Sequence, residues 1–335
     1  MRALISLCII GLLFVSCAKK ETFKVQTVNE QITTNQLGQT LIHEHILVDF
    51  IGADSTGYHR WDPAEVVESV LPFLREAKEL GFRTLLECTP AYLGRDPQLL
   101  KALSDSSGLQ ILTNSGYYGA YGRKYLPEHA YSETADQLAA RWINEFENGI
   151  EDTDIKPGFI KISVNDSVLS EMSQKIVRAA ARTHLATGLT IASHTGPAIP
   201  AYEEMEILEV EGVALEAFIW VHAQAEKDLV KQIEAAKRGV WISMDGLRDD
   251  NIEEYLNYVN KFKSENLLHK LLISHDAGWY RPGEENGGEF RGYTALSKKL
   301  IPMLRAEGIS QDEIDQIVIK NPASAFAIRV RSITN

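Results

Sequence analysis

The sequence predicts an α/β fold, a single-domain (β/α)8 barrel of the TIM type. Three observations lead to this prediction. Short apolar runs typical of β-strands recur along the chain, and stretches with helical spacing of apolar residues separate them. Polar residues close successive runs at intervals of roughly 30 residues, the length of one strand, one helix and two loops. Eight such units in about 250 to 300 residues are typical of a closed parallel barrel.

The predicted elements alternate along the chain. The strands lie near residues 41, 84, 111, 160, 191, 219, 242 and 272. The clearest helical patterns are Pro63–Leu80, Pro97–Leu103, Glu133–Glu147, Leu169–Leu185 and Glu226–Lys237. In the last of these, Leu229, Ile233 and Ala236 share one side, as in an amphipathic helix. Each helix therefore has an apolar side that can cover the sheet.

The first strand carries two histidines at alternate positions, His43 and His45. Side chains at i and i+2 of a strand share a face, so both imidazoles point one way and Glu44 points the other. Two imidazoles on one face can bind a metal ion from one side. Polar side chains also end later strands: Lys161, His194, His222, Asp245 and Asp276. Because catalytic groups of such barrels lie at the carboxyl ends of the strands, we expect these side chains to converge.

These motifs resemble the phosphotriesterase-related family of the amidohydrolase superfamily, from about Leu41 to about Ile328. The resemblance is carried by Leu41–His45, by Ala180–Gly188 leading into Ser193-His194-Thr195, and by Ile301–Gly308 leading into Asn321-Pro322-Ala323. It implies two divalent metal ions per chain. His43, His45 and Asp276 would hold the more buried ion, His194 and His222 the more exposed one, and Lys161 would bridge both as a carbamate.

Lys161 can act as a ligand only after chemical modification. A protonated lysine has no lone pair, so the neutral amine must first react with CO2 to give a carbamate with two oxygens. The alternative is an ion pair between Lys161 and Asp276 in a metal-free barrel. Histidine and carboxylate ligands favour zinc, with manganese and cobalt as alternatives.

The resemblance implies a metal-dependent hydrolase acting on ester bonds, lactonase-like or phosphotriesterase-like. A metal-bridging hydroxide would attack a carboxylic ester or lactone carbonyl, or a phosphoester centre. Asp276 and Lys161 are the expected catalytic residues, and Asp276 would carry the proton. Ester or lactone hydrolysis ranks before phosphoester hydrolysis and amide hydrolysis. The remaining alternatives are an enzyme with one metal ion or none, and a catalytically silent surface binding protein on the same barrel.

Substrate specificity in such barrels lies in the loops that follow the strands. The expected small-molecule-binding residues are Tyr118, Tyr121, Arg248, Trp279, Tyr280 and Arg281. The glycine-rich loop that carries Arg281 either closes over an anionic substrate or is an ordinary surface loop. Relatives that hydrolyse lactones have an arginine directly after the strand-7 aspartate, where this chain has Gly246.

The N-terminal sequence predicts that the protein is located in the bacterial cell envelope. Arg2 precedes a short apolar run, which is too short to span a bilayer and fits a signal peptide over residues 1–16. Leu13–Cys17 resembles a bacterial lipobox, so we expect lipid on Cys17 and a membrane-anchored lipoprotein. Residues 17–36 would form the lipidated N-terminus and tether, and residues 37–335 the hydrolase domain. The alternative is cleavage near Ala18 and a soluble periplasmic protein.

Composition narrows the partners. The net charge of −12 argues against nucleic acid as a partner. Of the three cysteines, Cys8 falls in the signal peptide and Cys17 in the lipobox, so Cys88 remains without a disulfide partner. The family resemblance also implies a homodimer.

Overall fold

The computed structural model describes residues 22–122 and 124–333, and within them eight parallel strands form a barrel, as the sequence predicts. The strands are β1 (Thr40–Glu44), β2 (Thr84–Glu87), β3 (Gln110–Leu112, continued by Asn114–Ser115), β4 (Phe159–Ser163), β5 (Ile191–His194), β6 (Phe218–Val221), β7 (Trp241–Met244) and β8 (Leu271–Ile273). The predicted fold class is confirmed.

Backbone hydrogen bonds close the barrel at two places where the regular ladders stop. β3 is divided at Thr113, and its first part pairs with β2 while its second part pairs with β4. Beyond the ends of β8 and β1, the Asp276 N–H donates to the carbonyl of His43 at 3.1 Å, and the His45 N–H donates to the carbonyl of Ala277 at 2.8 Å. These two bonds join the last strand to the first, at residues expected to bind metal.

Helices surround the strands. They are α1 (Pro63–Glu79), α2 (Pro97–Ser107), α3 (Ala135–Asn148), α4 (Glu171–Thr187), α5 (Ala198–Val210), α6 (Leu229–Lys237), α7 (Ile252–Ser264) and α8 (Ile301–Ala306), which continues a π-helical turn at Leu296–Leu300. The chain then forms α9 (Gln311–Asp315), a π-helical turn at Gln316–Lys320, and α10 (Asn321–Ala325). A short helix at His129–Ser132 precedes α3, and one-turn 3₁₀ helices lie at Thr34–Gln36, Tyr58–Arg60, Leu215–Ala217, Ala223–Ala225, Leu268–Lys270 and Glu285–Gly287.

Local sequence explains where several helices begin and end. Asp62 accepts a hydrogen bond from the Ala64 N–H ahead of α1, and Asp96 accepts one from the Leu99 N–H ahead of α2. Each aspartate is followed by proline, which suits the first helical position because that residue's N–H would be unpaired. α2 and α4 end at Gly108 and Gly188, both with left-handed backbone conformation.

The apolar core has two parts. The larger lies between strands and helices, and contains Ile160 and Ile162 of β4. The smaller fills the barrel interior, where Phe159 packs with Leu112 and Phe326. Lys161 is therefore the polar member of an alternating strand, on the inward face beyond Phe159.

A β-hairpin closes the amino-terminal end of the barrel and extends the folded domain beyond the expected boundary at residue 37. Its strands, Lys24–Gln26 and Gln31–Thr33, pair in antiparallel register. Val25 and Ile32 are buried in the interior cluster, and the Val28 N–H donates to the carbonyl of Ile111. The sequence resembles a polar tether because each short strand contributes only one buried apolar residue.

The predicted signal peptide over residues 1–16 and the lipidation site at Cys17 lie outside the described residues. Across the part of the chain that the structure does describe, no helix is both long and apolar enough to span a bilayer.

Candidate metal centre

The structure brings the six residues expected to bind metal to one cavity at the carboxyl ends of the strands: His43, His45, Lys161, His194, His222 and Asp276. The β1 histidines reach it because the pairing between β1 and β2 shifts register between Leu41 and Glu44. Ile42 packs in the barrel interior and the next residue, His43, lines the cavity. A β-bulge of this kind redirects a side chain without breaking the barrel.

Three side chains form the buried half of the centre: His43, His45 and Asp276. Their ligand atoms all lie within 4.8 Å of one another. Asp276 Oδ1 is 3.1 Å from His45 Nε2 and 3.6 Å from His43 Nε2. His43 is 1 % exposed, and its Nε2 has no hydrogen-bond partner among the described residues. A buried polar atom without a partner is costly, and a cation between these atoms would remove that cost.

The exposed half consists of His194 and His222. Their ring centroids are 4.3 Å apart, and the His222 ring is 5.0 Å from that of His43. Burial, with smaller contributions from His222 and Lys161, holds the pKa of His194 well below its ordinary value. Burial does the same for the pKa of His43. Both imidazoles are therefore neutral at physiological pH, which is the state that binds metal.

Asp245 fixes the orientation of His222. Its Oδ1 lies 2.6 Å from His222 Nδ1, and its Oδ2 accepts from the His222 backbone N–H at 3.1 Å. Burial would lower the pKa of His222, but Asp245 outweighs it and raises that pKa. Burial opposes ionisation of Asp245, yet His222 and His43 hold its pKa far below the ordinary value. The carboxylate therefore leaves Nε2 of His222 free to face the cavity.

Lys161 lines the same cavity as the two halves and is 2 % exposed. Burial lowers the pKa of its amine, although Asp276 and other acids act in the opposite direction. Within residues 22–122 and 124–333, no carboxylate oxygen lies within 4.0 Å of its ammonium nitrogen. The expected alternative, a close ion pair between Lys161 and Asp276, is thus absent from the described structure.

Two further carboxylates stand behind the strand ends, and sequence patterns did not single them out. Glu87 accepts from the Thr89 hydroxyl at 2.5 Å, and Thr89 Oγ1 is 2.8 Å from His45 Nδ1. Glu204 on α5 is fully buried and accepts from Ser193 at 2.5 Å and Thr195 at 2.7 Å. Those two hydroxyl groups flank His194. A signal for Glu204 exists in α5, where it interrupts an apolar surface.

Glu44, which points away from His43 and His45 as expected, forms a buried hydrogen-bond network with His275. Glu44 Oε1 accepts from His275 Nδ1 at 2.7 Å and from the Ser274 hydroxyl at 2.7 Å, and Oε2 accepts from the Ala277 N–H at 2.9 Å. His275 Nε2 in turn accepts from the Leu296 N–H at 3.0 Å. This network fixes the backbone just after β8, on both sides of Asp276.

Two candidate ligands have strained backbone conformations. His222 and Asp276 have φ values of 60° and 51°, in the left-handed region that residues other than glycine rarely adopt. Such strain costs of order 1–3 kcal/mol and persists only where surrounding contacts impose it. Here those contacts are the Asp245 carboxylate for His222 and the β1 backbone for Asp276.

The cavity above these ligands has a volume of about 470 Å³ and largely aromatic walls. Its other lining residues are Val48, Phe50, Cys88, Pro90, Leu93, Tyr118, Tyr121, Lys124, Tyr125 and Trp279. Of the expected substrate-binding residues, Tyr118, Tyr121 and Trp279 line it. The Tyr118 hydroxyl lies 3.1 Å from His194 Nε2.

The other three expected substrate-binding residues lie outside this cavity. Arg248 is exposed beyond the end of β7. Tyr280 is buried and lines a separate groove beside Arg60 and Asp62. Arg281 forms an ion pair with Glu284 at 2.6 Å, three residues along the same loop. The charge of Arg281 is therefore balanced by an acid of the same loop.

The donor set fits divalent metal. The neutral imidazoles of His43 and His194, the ionised carboxylate of Asp276 and the unpaired buried Nε2 of His43 suit a transition metal. The side chains of His45, His222 and Lys161 line the same cavity.

Known proteins share this architecture. The chain is 26% identical over 293 residues to the phosphotriesterase homology protein of Escherichia coli, covering 86% of this chain and 98% of that protein. It is 24% identical to the N-acetyltaurine hydrolase of Xenopus tropicalis, covering 89% and 96%. A mutant organophosphorus hydrolase from Deinococcus radiodurans superposes with a TM-score of 0.81 at 26% identity, covering 91% and 97%. The sequence model of the phosphotriesterase family matches residues 23–326, and this chain belongs to that family of hydrolases, generally binuclear metal enzymes.

Proposed function

We propose that this chain is a binuclear metal-dependent hydrolase, with zinc as the preferred metal and a carbamate on Lys161 bridging two ions. The observation that carries the proposal is the position of the buried Lys161 amine. It lines the same cavity as a buried set, His43, His45 and Asp276, and an exposed pair, His194 and His222. A neutral amine with no close counterion is the species that CO2 can carboxylate.

When bound, the ions would supply a hydroxide at neutral pH and polarise the scissile carbonyl or phosphoryl group. The residues of the chain do the rest. Asp276 accepts the proton from the nucleophile and passes it toward the leaving group. Asp245 and Thr89 orient His222 and His45. The aromatic walls of the cavity exclude water from the reacting atoms.

The substrate we propose is a small molecule with a carboxylic ester or lactone, ahead of a phosphoester. The Tyr118 hydroxyl supports this order, because it lies beside His194 where it can donate to a carbonyl oxygen. Burial raises the pKa of Tyr118 far above its ordinary value, so the hydroxyl remains a donor. Arg248 and Arg281 lie outside the cavity. Among the described residues that line it, Lys124 is the outer cation, and an anionic substituent would meet it there.

Amide hydrolysis is the second candidate function. It is favoured by the similarity to N-acetyltaurine hydrolase, whose name denotes hydrolysis of an amide. The same carboxylate proton carrier serves both reactions, since an amine leaving group requires protonation by Asp276. Kinetics on matched ester and amide substrates decide between them.

Metal content of the purified domain, with and without zinc and bicarbonate, tests the proposal. We expect two ions per chain in the parent protein and in Lys101→Ala, an exposed control on α2. Lys161→Ala is expected to lose the second ion and hydrolysis of lactones, esters and phosphoesters. One ion or none in the parent, unchanged by Lys161→Ala, would contradict the binuclear mechanism and favour a binding protein.

We also propose, from the sequence before residue 22, that the protein is a lipoprotein of the bacterial cell envelope. The family resemblance is the basis for proposing, in addition, that it forms homodimers. Mass spectrometry of the N-terminal peptide would detect lipid on Cys17. A free N-terminus near Ala18 would instead indicate a soluble periplasmic form. Light scattering of the purified domain would report the oligomeric state.

A further inference from the structure

We propose that Thr89 and Glu87 are positioning residues that fix the tautomer of His45 and so set the metal affinity of the buried position. This inference rests on the proposed function, because it concerns the site formed by His43, His45 and Asp276. The hydrogen bond between Thr89 and His45 lies outside the ligand set, and we expect it to affect the buried metal position and not the exposed one.

The hydrogen-bond partners of the Thr89 hydroxyl determine where its proton and the ring proton of His45 lie. The Thr89 hydroxyl has one proton, and its oxygen lies 2.5 Å from Glu87 Oε1 and 2.8 Å from His45 Nδ1. An ionised carboxylate can only accept, so the proton of Thr89 points to Glu87. The Thr89 oxygen must then accept from His45, which places a proton on Nδ1. The lone pair of His45 is therefore available on Nε2, the atom 3.1 Å from Asp276, when a cation lies between those two atoms.

The surroundings of Glu87 support its role as the end of this chain. The side chain is 1 % exposed. Besides the Thr89 hydroxyl, it accepts from the backbone N–H groups of Thr89 at 3.1 Å and Ile46 at 3.2 Å. Burial raises the pKa of Glu87, but the three hydrogen-bond donors around its oxygens favour the carboxylate. Glu87 thus joins the end of β2 to the residue that follows His45.

The backbone that carries the two positioning residues is itself held in place. The side-chain amide of Asn114 donates to the carbonyls of both Glu87 and Thr89, at 3.0 and 3.1 Å. All these groups are buried, so water does not compete for the hydrogen bonds. The hydroxyl of Thr89 therefore has a fixed direction relative to the imidazole.

The two metal positions have different supports. Asp245 contacts His222 directly at 2.6 Å, on the exposed side of the centre. On the buried side the carboxylate of Glu87 acts through an intervening hydroxyl. Loss of the Thr89 hydroxyl should consequently weaken the buried position and leave the His194–His222 pair in place.

The test compares Thr89→Val with Thr89→Ser and with Thr113→Val. Valine keeps the shape of threonine and removes the hydroxyl, whereas serine restores it. Thr113 is a matched control, because it is equally buried and its hydroxyl has no hydrogen-bond partner among the described residues. Zinc affinity is measured by competition with a chromophoric chelator, and cadmium NMR with nitrogen-labelled histidine identifies the affected position through its coupling to His45.

We expect Thr89→Val to lower zinc affinity at the His45-coupled position by about 10- to 100-fold, with Thr89→Ser and Thr113→Val close to the parent. Nitrogen NMR of the metal-free parent should show a proton on Nδ1 of His45, and Thr89→Val should show that position only partly protonated. Equal losses of affinity at both positions, or a parent protein whose His45 Nδ1 carries no proton, would overturn the inference. Failure of the parent to bind two ions would contradict the proposed function instead, while the tautomer measurement would still decide the role of Thr89.

Discussion

His222 and the carboxylate of Asp245 are joined by two hydrogen bonds, one from the imidazole and one from the backbone N–H, that hold a strained residue in place. The Nδ1–Oδ1 distance is 2.6 Å and the backbone N–H to Oδ2 distance is 3.1 Å. His222 has a φ of 60°, so its backbone would relax without these contacts. The hydroxyl of Ser243 and the amide of Gln224 also donate to Asp245, at 2.6 and 3.1 Å. Asp245 therefore controls the conformation of His222 as well as its proton.

Asp245→Asn is expected to lower metal affinity at the exposed position by about 10- to 100-fold. The amide keeps the size of the carboxylate, but its NH2 group cannot accept from the donors that now converge there. Zinc competition measures the effect, with Asp250→Asn on the exposed loop as the control. Unchanged affinity in Asp245→Asn would show that the backbone alone orients His222.

Gly278→Ala is expected to destabilise the protein by about 3 kcal/mol or more. A Cβ at this position would lie 1.8 Å from the carbonyl oxygen of His45, at a φ of +100°. Gly212→Ala is the matched control, since it has a φ of +85° with nothing within 4 Å of the added carbon. Its cost should be limited to about 1–2 kcal/mol of backbone strain. Urea denaturation measures both, and equal costs would mean that the loop shifts freely away from β1.

Glu204→Gln is expected to change how stability depends on pH. Burial raises the pKa of Glu204 from 4.5 to about 8, against hydrogen bonds from Ser193 and Thr195. Because the folded pKa is the higher one, the stabilisation is full below pH 4.5 and is lost as pH rises toward 8. The free energy of unfolding of the variant, relative to the parent, should thus rise by about 2 to 4 kcal/mol between pH 5 and pH 8.

Denaturation of Glu204→Gln at several pH values provides the measurement. Glu209→Gln, on the exposed side of the same helix, serves as the control and should show no such trend. A parallel pH dependence of Glu204→Gln and the parent protein would indicate that Glu204 is ionised in the folded state.

Tyr118→Phe is expected to lower kcat/KM on a lactone or ester by about 10- to 100-fold, with metal content unchanged. The hydroxyl lies 3.1 Å from His194 Nε2 and faces the space where a carbonyl oxygen would bind. Tyr121→Phe is the control, because that side chain is 69 % exposed at the rim. If the two variants behave alike, the Tyr118 hydroxyl takes no part in the reaction.

The eight strands, and the convergence of the six expected ligands on one cavity, could be predicted from the sequence because both depend on local patterns. A polar residue such as Lys161 at the end of an apolar strand is conspicuous, and parallel topology places such ends together. The register shift between Leu41 and Glu44 does not alter the prediction for the two histidines, since His43 and His45 both line the cavity.

The remaining features depend on neighbours that sequence does not reveal. Glu204 reads as one acid among several on α5 until Ser193 and Thr195 are seen beside it. Arg281 resembled a substrate-binding cation, but Glu284 on the same loop already pairs with it. Val25 and Ile32 look isolated among polar residues, yet the hairpin turn brings them together beneath the barrel.

The hairpin also distinguishes the two ends of the barrel. Residues 24–33 lie under the floor of the barrel, beside Phe159 at the start of β4, whereas the cavity opens at the opposite end. Anything attached upstream of Thr22 would therefore approach from below. Such an attachment would leave the cavity mouth unobstructed, because the hairpin and the mouth lie at opposite ends of the barrel.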